Sequence, residues 1–162
     1  MIMHRRTRAT APRRRGQALV EFALVIPIFL LILVGLFDLG SAVFSYNSVT
    51  NAAREGARLG IVNQDTALIK QRATSQVAVA EVADPSVTTA FYRDPALTTT
   101  CSSIAVNCMV SVTFQTTYRP ITPIISSFLF PSGVTFTARA VLPIEFVCPN
   151  TTTTAANCPK QP

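Results

Sequence analysis

Arg13-Arg14-Arg15-Gly16-Gln17-Ala18-Leu19-Val20-Glu21-Phe22 opens an apolar run that extends to Phe37. Between Ala18 and Phe37 there is one charge, Glu21, and one proline, Pro27. Twenty helical residues at about 1.5 Å each span roughly 30 Å, one bilayer core. The run is longer than the roughly 7–15 apolar residues of a cleaved secretory signal. Asp38-Leu39-Gly40-Ser41-Ala42 behind it is a poor signal-peptidase site, and no cysteine follows closely enough for a lipoprotein signal. A retained membrane anchor over 17–38 is therefore expected. It follows a basic leader, residues 1–16.

The leader holds the whole charge excess. Arg5, Arg6, Arg8, Arg13, Arg14 and Arg15 are six of the fourteen Lys and Arg residues, and the rest of the chain is neutral overall. Ahead of an apolar span, such an arm acts as a topology signal that keeps the N-terminus cytoplasmic. It has no aromatic platform or base-reading element beside it, so no nucleic-acid partner is expected. Membrane lipid is. Glu21 is costly where it stands. At the centre of a membrane helix an acid costs roughly 2.5–3.5 kcal/mol, and less toward the interface. Two readings are open: an interfacial acid paired with the flanking arginines, or a carboxylate kept for a partner. Pro27 lacks an N–H, so it should kink the helix or melt one turn.

From Asp38 to Val62 there is no proline, so the helix should continue past the membrane. Ala52, Gly56 and Gly60 fall at i, i+4 and i+8, with Ala53 and Ala57 beside them. Small residues at this spacing make a stripe that another helix backbone can approach closely. Packing of that stripe on the chain's own globular part is the alternative.

Positive-inside orientation puts residues 39–162 outside the cytoplasm, enough for one small domain with a modest core. Gln64–Val82 reads as a second helical stretch ended by Asp84-Pro85, with Leu68, Val79 and Val82 near one another. This gives a helical region over 39–83. Residues 84–104 read as loop with a short strand at Val87–Phe91. Val106–Tyr118 and Val134–Val147 alternate apolar and polar residues as strands do. If these two pair antiparallel about Pro120 and Gly133, they need the long helix as a second layer. The fold class is α+β: a long N-terminal membrane helix continuing into a small extracytoplasmic domain with an antiparallel sheet. The β-rich part covers 84–148 and a Thr/Pro-rich tail covers 149–162. The apolar stretch Arg119–Pro131 is expected as a short helix or loop, packed at the membrane surface or on the sheet.

Cys101, Cys108, Cys148 and Cys158 all lie in the exported part. An even count in an oxidising compartment favours two disulfides. The local set, 101–108 and 148–158, is preferred, and a 108–148 bridge stays open. The spacings lack a C-x-x-C, and His4, the single histidine, is in the leader, so zinc is the lesser reading. No catalytic motif or local pair of acids suited to proton transfer occurs. Neither an enzyme nor a cofactor is expected.

Gly16–Pro27, together with Asn51-Ala52-Ala53-Arg54-Glu55-Gly56-Ala57-Arg58, resembles the TadE-like family of the tight adherence (Tad) pilus system. More loosely, Thr113–Pro123 and Val134–Glu145 resemble that family's C-terminal part. The resemblance implies a pseudopilin or minor pilin, cut by a prepilin peptidase after a glycine that is followed by four residues and a glutamate. Gly16, Gln17, Glu21 and Phe22 fit that spacing, although Gln17 stands where type IV pilins carry phenylalanine. It also implies that Glu21 meets the new N-terminal amine of a neighbouring subunit, with Phe22 and Pro27 in the same assembly segment. The implied partners are the peptidase, other pilins or pseudopilins and the pilus assembly machinery. The implied location is the cytoplasmic membrane, with a surface pilus as a further destination. An unprocessed, single-pass, membrane-anchored binding module is the alternative.

Overall fold

The computed structural model describes residues 15–77, 82–123, 125–149 and 154–159. It divides into two compact units at Leu36/Phe37. Helix α1, Arg15–Gly60, runs through both. Its first part, up to Leu36, exposes Leu19, Phe22, Leu24, Ile28, Leu31 and Ile32. Such a surface suits lipid and would be costly in water. Among the described residues α1 is the one helix long and apolar enough to cross a membrane. The helix continues through Pro27 without a melted turn. Proline cannot bond back to the carbonyl four residues earlier, that of Ala23, so that one oxygen is released and the helix persists.

The second unit begins on the same helix and is the globular domain. Its core comprises Val49, Ala52, Ala53, Ala57 and Leu59 of α1, Ile69 and Ala73 of helix α2, and Val110, Val112, Phe114, Ala138 and Ala140 of the sheet. Helix α2, Thr66–Ser75, is shorter than the stretch expected from Gln64 to Val82. Asp65 starts it by accepting from Ala67 N at 2.8 Å and Leu68 N at 3.4 Å, a cap worth about 1 kcal/mol. Ile69 and Ala73 carry its buried face. Val82 belongs to a strand, Leu68 is half-buried, and Val79 lies outside the described residues.

Three antiparallel strands follow in the order β1-β2-β3: Val82–Tyr92, Met109–Tyr118 and Val134–Pro143. Strand β1 begins ahead of the loop expected at 84–104 and is more than twice the expected Val87–Phe91. Pro85 does not stop it, because the register shifts between Ala83 and Ser86 on an edge strand. Edges and bulges are where a missing N–H is tolerated. Strands β2 and β3 are shorter than the alternating stretches that announced them. Beyond Met109 and Pro143 the ladder continues only as single bonds, Ile144 N to Cys108 O at 2.7 Å and Asn107 N to Ile144 O at 3.1 Å.

Alternation sets the layers. Val110, Val112, Phe114, Thr116 and Tyr118 are buried along one face of β2, with Ala138 and Ala140 beside them on β3. Between β2 and β3 the turn ends at Gly133, whose φ is +75°. A Cβ there would sit 2.7 Å from both Thr117 Cγ2 and the Tyr118 carbonyl, so glycine is required. Two disulfides staple the irregular parts, Cys101–Cys108 and Cys148–Cys158. This is the local set. It leaves no free cysteine, which removes both the 108–148 bridge and the zinc reading.

Candidate functional site

Three groups of residues can carry function. The first lies at the start of α1. Gly16 is the helix's second residue, exposed, and among the described residues nothing lies within 4 Å of where a Cβ would be. Gln17 Nε2 donates to Glu21 Oε1 at 3.4 Å, one turn away on the same face. Glu21 and Phe22 are both exposed on the helix surface. Before the helix is joined to anything else, then, the carboxylate has a neutral amide for company. A neutral amide does not cancel the charge of a carboxylate.

The second group is the small-residue stripe. Ala52, Ala53, Gly56, Ala57 and Gly60 are all buried. A Cβ on Gly56 would lie 3.0 Å from Ala73 Cβ and 3.2 Å from Val112 Cγ1, with the Ile69 carbonyl at 3.5 Å. A Cβ on Gly60 would lie 2.7 Å from Val110 Cγ2. The helix that approaches this stripe is α2 of the same chain, with β2 beside it. Glu55 ties the two helices further, pairing with Arg58 at 3.1 Å and with Arg72 of α2 at 3.6 Å. Both bridges are partly solvated and contribute little.

The third group surrounds Asp38, the first residue after the apolar run. The residue is 7% exposed. Its Oδ1 accepts from Ile121 N at 3.2 Å, while its carbonyl accepts from the Tyr118 hydroxyl at 3.2 Å. That hydroxyl also sits 3.1 Å from Ser41 Oγ. Tyr118 stacks on Phe136 at 5.4 Å, and Phe136 meets Tyr46 edge-on at 5.8 Å. Asp38 therefore fixes the β2–β3 connection to α1. Its Oδ2 is buried without a hydrogen-bond partner among the described residues.

Sequence reasoning missed the Asp38 group and one other. At the far end of the domain Asn63 and Gln64 are buried polar residues. Gln64 Nε2 donates to the Gly60 and Phe146 carbonyls at 3.1 and 2.9 Å, and its Oε1 accepts from Cys148 N at 2.7 Å. Asn63 Nδ2 donates to the Pro159 carbonyl at 2.7 Å. They latch the Cys148–Cys158 loop onto the end of α1. Only a polar pair directly after a helix with a small-residue face hinted at this. An open pocket of about 470 Å³ adjoins the latch, lined by Leu68, Ile104, Val147 and Pro149 among others. Among the described residues no group of three His, Cys, Asp or Glu is placed to hold a metal.

By fold the protein is α+β, with one long helix whose first part is an apolar span and whose second part packs in a small disulfide-stapled domain. Residues 16–58 match the family model of TadE-like proteins, as the resemblance implied. The match takes in Gly16, Glu21, Pro27, Asp38 and the stripe as far as Ala57. It stops before the sheet, so the looser likeness of Thr113–Pro123 and Val134–Glu145 lies outside it. No curated protein and no solved structure matches the chain.

Proposed function

We propose that this protein is a minor pilin or pseudopilin of a Tad-type pilus. Residues 17–38 anchor it in the cytoplasmic membrane, and its domain lies on the outer side. A prepilin peptidase removes the leader between Gly16 and Gln17, and the protein then acts with other pilins and the assembly machinery. The observation that carries this reading is the TadE-like match over 16–58, which begins at the proposed cut. Two physical features support it. Glu21 is an exposed carboxylate whose hydrogen-bond partner among the described residues is the Gln17 amide. Cleavage would create an ammonium at Gln17, and a neighbouring subunit's ammonium would neutralise the acid where water is scarce. The matched family is not one of enzymes, and the protein is read as a structural subunit.

The test is at Glu21. Glu21→Gln removes the charge and keeps the size. It should leave export and cleavage unchanged and reduce crosslinks between anchor helices of co-assembled pilins at equal protein level. Equal crosslinking by wild type and variant would show that the carboxylate has no part in assembly.

One observation favours a second reading, an anchored binding module that is never processed. The small-residue stripe is already filled by the chain's own α2 and sheet, which leaves it closed to a second chain's helix. A mature protein that retains its leader would select that reading.

A further inference from the structure

The connection between β2 and β3 carries an unusual surface. Ile121 is 63% exposed, Phe128 85%, Leu129 67% and Phe130 45%. None of the residues in the π-helical turn Ile125–Leu129 is fully buried, and Ser127, Phe128 and Leu129 are exposed. Four large apolar side chains on one short connection, all facing outward, form a patch of the kind that marks an interaction surface.

We propose that this connection inserts its apolar tip into the headgroup–acyl boundary of the membrane that holds α1, as a second point of contact beside the anchor. The inference rests on the anchor reading given above. Three observations choose lipid as the occupant. The first is position. Ile121 N is bonded to Asp38 Oδ1, and Tyr118 to the Asp38 carbonyl. Asp38 directly follows the apolar run, and a run of about twenty residues fills the bilayer core, so Asp38 falls at its outer edge. The base of the connection, from Tyr118 to Ile121, is held at that same edge. The second is the backbone. A segment entering an apolar layer has to satisfy its own polar groups. Ser126 N bonds to the Thr122 carbonyl at 2.9 Å, Phe130 N to the Ile125 carbonyl at 3.0 Å and Gly133 N to the Phe130 carbonyl at 2.9 Å. The Ser126 hydroxyl is turned back to the Pro123 carbonyl at 3.2 Å. The third is composition. The exposed side chains from Phe128 to Phe130 carry no charge, while the exposed Arg119 stands at the base of the connection, where a phosphate would meet it.

The chain contains no tryptophan, so a single one reports unambiguously. Full-length protein is reconstituted in vesicles of phosphatidylethanolamine and phosphatidylglycerol, with and without brominated acyl chains. Tryptophan is introduced singly as Phe128→Trp, Leu129→Trp, Phe29→Trp in the anchor, or Phe146→Trp beside Ile61 at the other end of the domain. The expected result is blue-shifted emission from Phe128→Trp and Leu129→Trp that is largely lost to brominated lipid. Phe29→Trp should be quenched as well, and Phe146→Trp should not. Quenching at Phe29→Trp without quenching at either tip position overturns the inference and leaves the anchor standing. No quenching at Phe29→Trp overturns both. Tip emission that is shielded but unquenched, and becomes exposed when lipid is added in excess, assigns the tip to a second copy of the chain and overturns insertion. Two tip positions guard against one variant failing to fold, and both side chains already face outward.

Discussion

Helix α1 has two halves that differ in what surrounds them. From Gly16 to Leu36 nearly every side chain is exposed, and large apolar residues lie on all sides. From Asp38 to Gly60 burial follows a stripe, with Asp38, Ser45, Val49, Ala52, Gly56 and Leu59 facing inward and Arg54 and Arg58 outward. Both halves are equally helical, so helicity does not distinguish them. The distinction lies in side-chain volume and its spacing. Large residues all round leave no close face and call for a fluid apolar solvent. Small residues at helical spacing let a sheet and a second helix come to within contact of the backbone.

The largest test of that contrast is a phenylalanine in each environment. Phe114 is fully buried between β1 and β3 under α1, whereas Phe22 is exposed on the anchor. Phe114→Ala should destabilise the domain by about 3–5 kcal/mol. Phe22→Ala should leave the domain's melting temperature unchanged. Thermal unfolding in detergent, followed by circular dichroism, reads both. Equal effects would dissolve the distinction between the halves.

A smaller effect separates two glycines of the same helix. A methyl group on Gly60 meets Val110 at 2.7 Å, while one on Gly35 meets nothing within 4 Å. Gly60→Ala should cost about 1–3 kcal/mol of overpacking, less the roughly 1 kcal/mol gained in helix propensity. Gly35→Ala should be neutral or slightly stabilising. A neutral Gly60→Ala in the same melts would mean that α1 and β2 do not approach as closely as described.

The smallest effect lies outside the helix. The Asp94 carboxylate is held below the usual range, first by the Thr98 backbone N–H, then by the Thr99 N–H and the Thr98 hydroxyl. A carboxylate with a lowered folded-state pKa stabilises above its unfolded value, about 3.9, and that contribution disappears as pH falls through the folded value. The group is solvated, so the change should be confined to its loop. Amide exchange at Thr98 and Thr99, corrected for intrinsic rates, should speed up only on acidification below about pH 4. Asp94→Asn should show the faster exchange at neutral pH. Exchange independent of pH in the wild type would remove the carboxylate from the loop's support.

Much of this arrangement was legible in the sequence. The absence of proline between Asp38 and Val62 foretold a helix that continues well beyond the apolar run. Alternation of Val110, Val112 and Phe114 gave the buried face of β2, and the apolar-to-turn pattern around Pro120 and Gly133 gave its hairpin. The cysteine spacings favoured the two local bridges. Of strand β1 only Val87–Phe91 was legible, and its start was hidden by Pro85, because a proline in a bulge of an edge strand reads locally as a terminator. Helix α2 was overextended for a related reason. Val79 and Val82 are compatible with a helix face, and only pairing with β2 decides that Val82 belongs to the sheet. The Asp38 group and the Asn63–Gln64 latch were not legible, since each joins residues about eighty positions or more apart. A lone acid after an apolar span and a polar pair after a helix both look like solvated residues until the partner strand or loop is in place.

The central claim is that Gly16–Gln17 is a processing junction, and the mass of the mature protein tests it most directly. Protein extracted from membranes of cells that carry a prepilin peptidase should have an intact mass that begins at Gln17. The Gly16→Ala variant should accumulate as precursor, since among the described residues nothing lies within 4 Å of the added Cβ. Mature wild-type protein still beginning at Met1 in those cells would contradict the account.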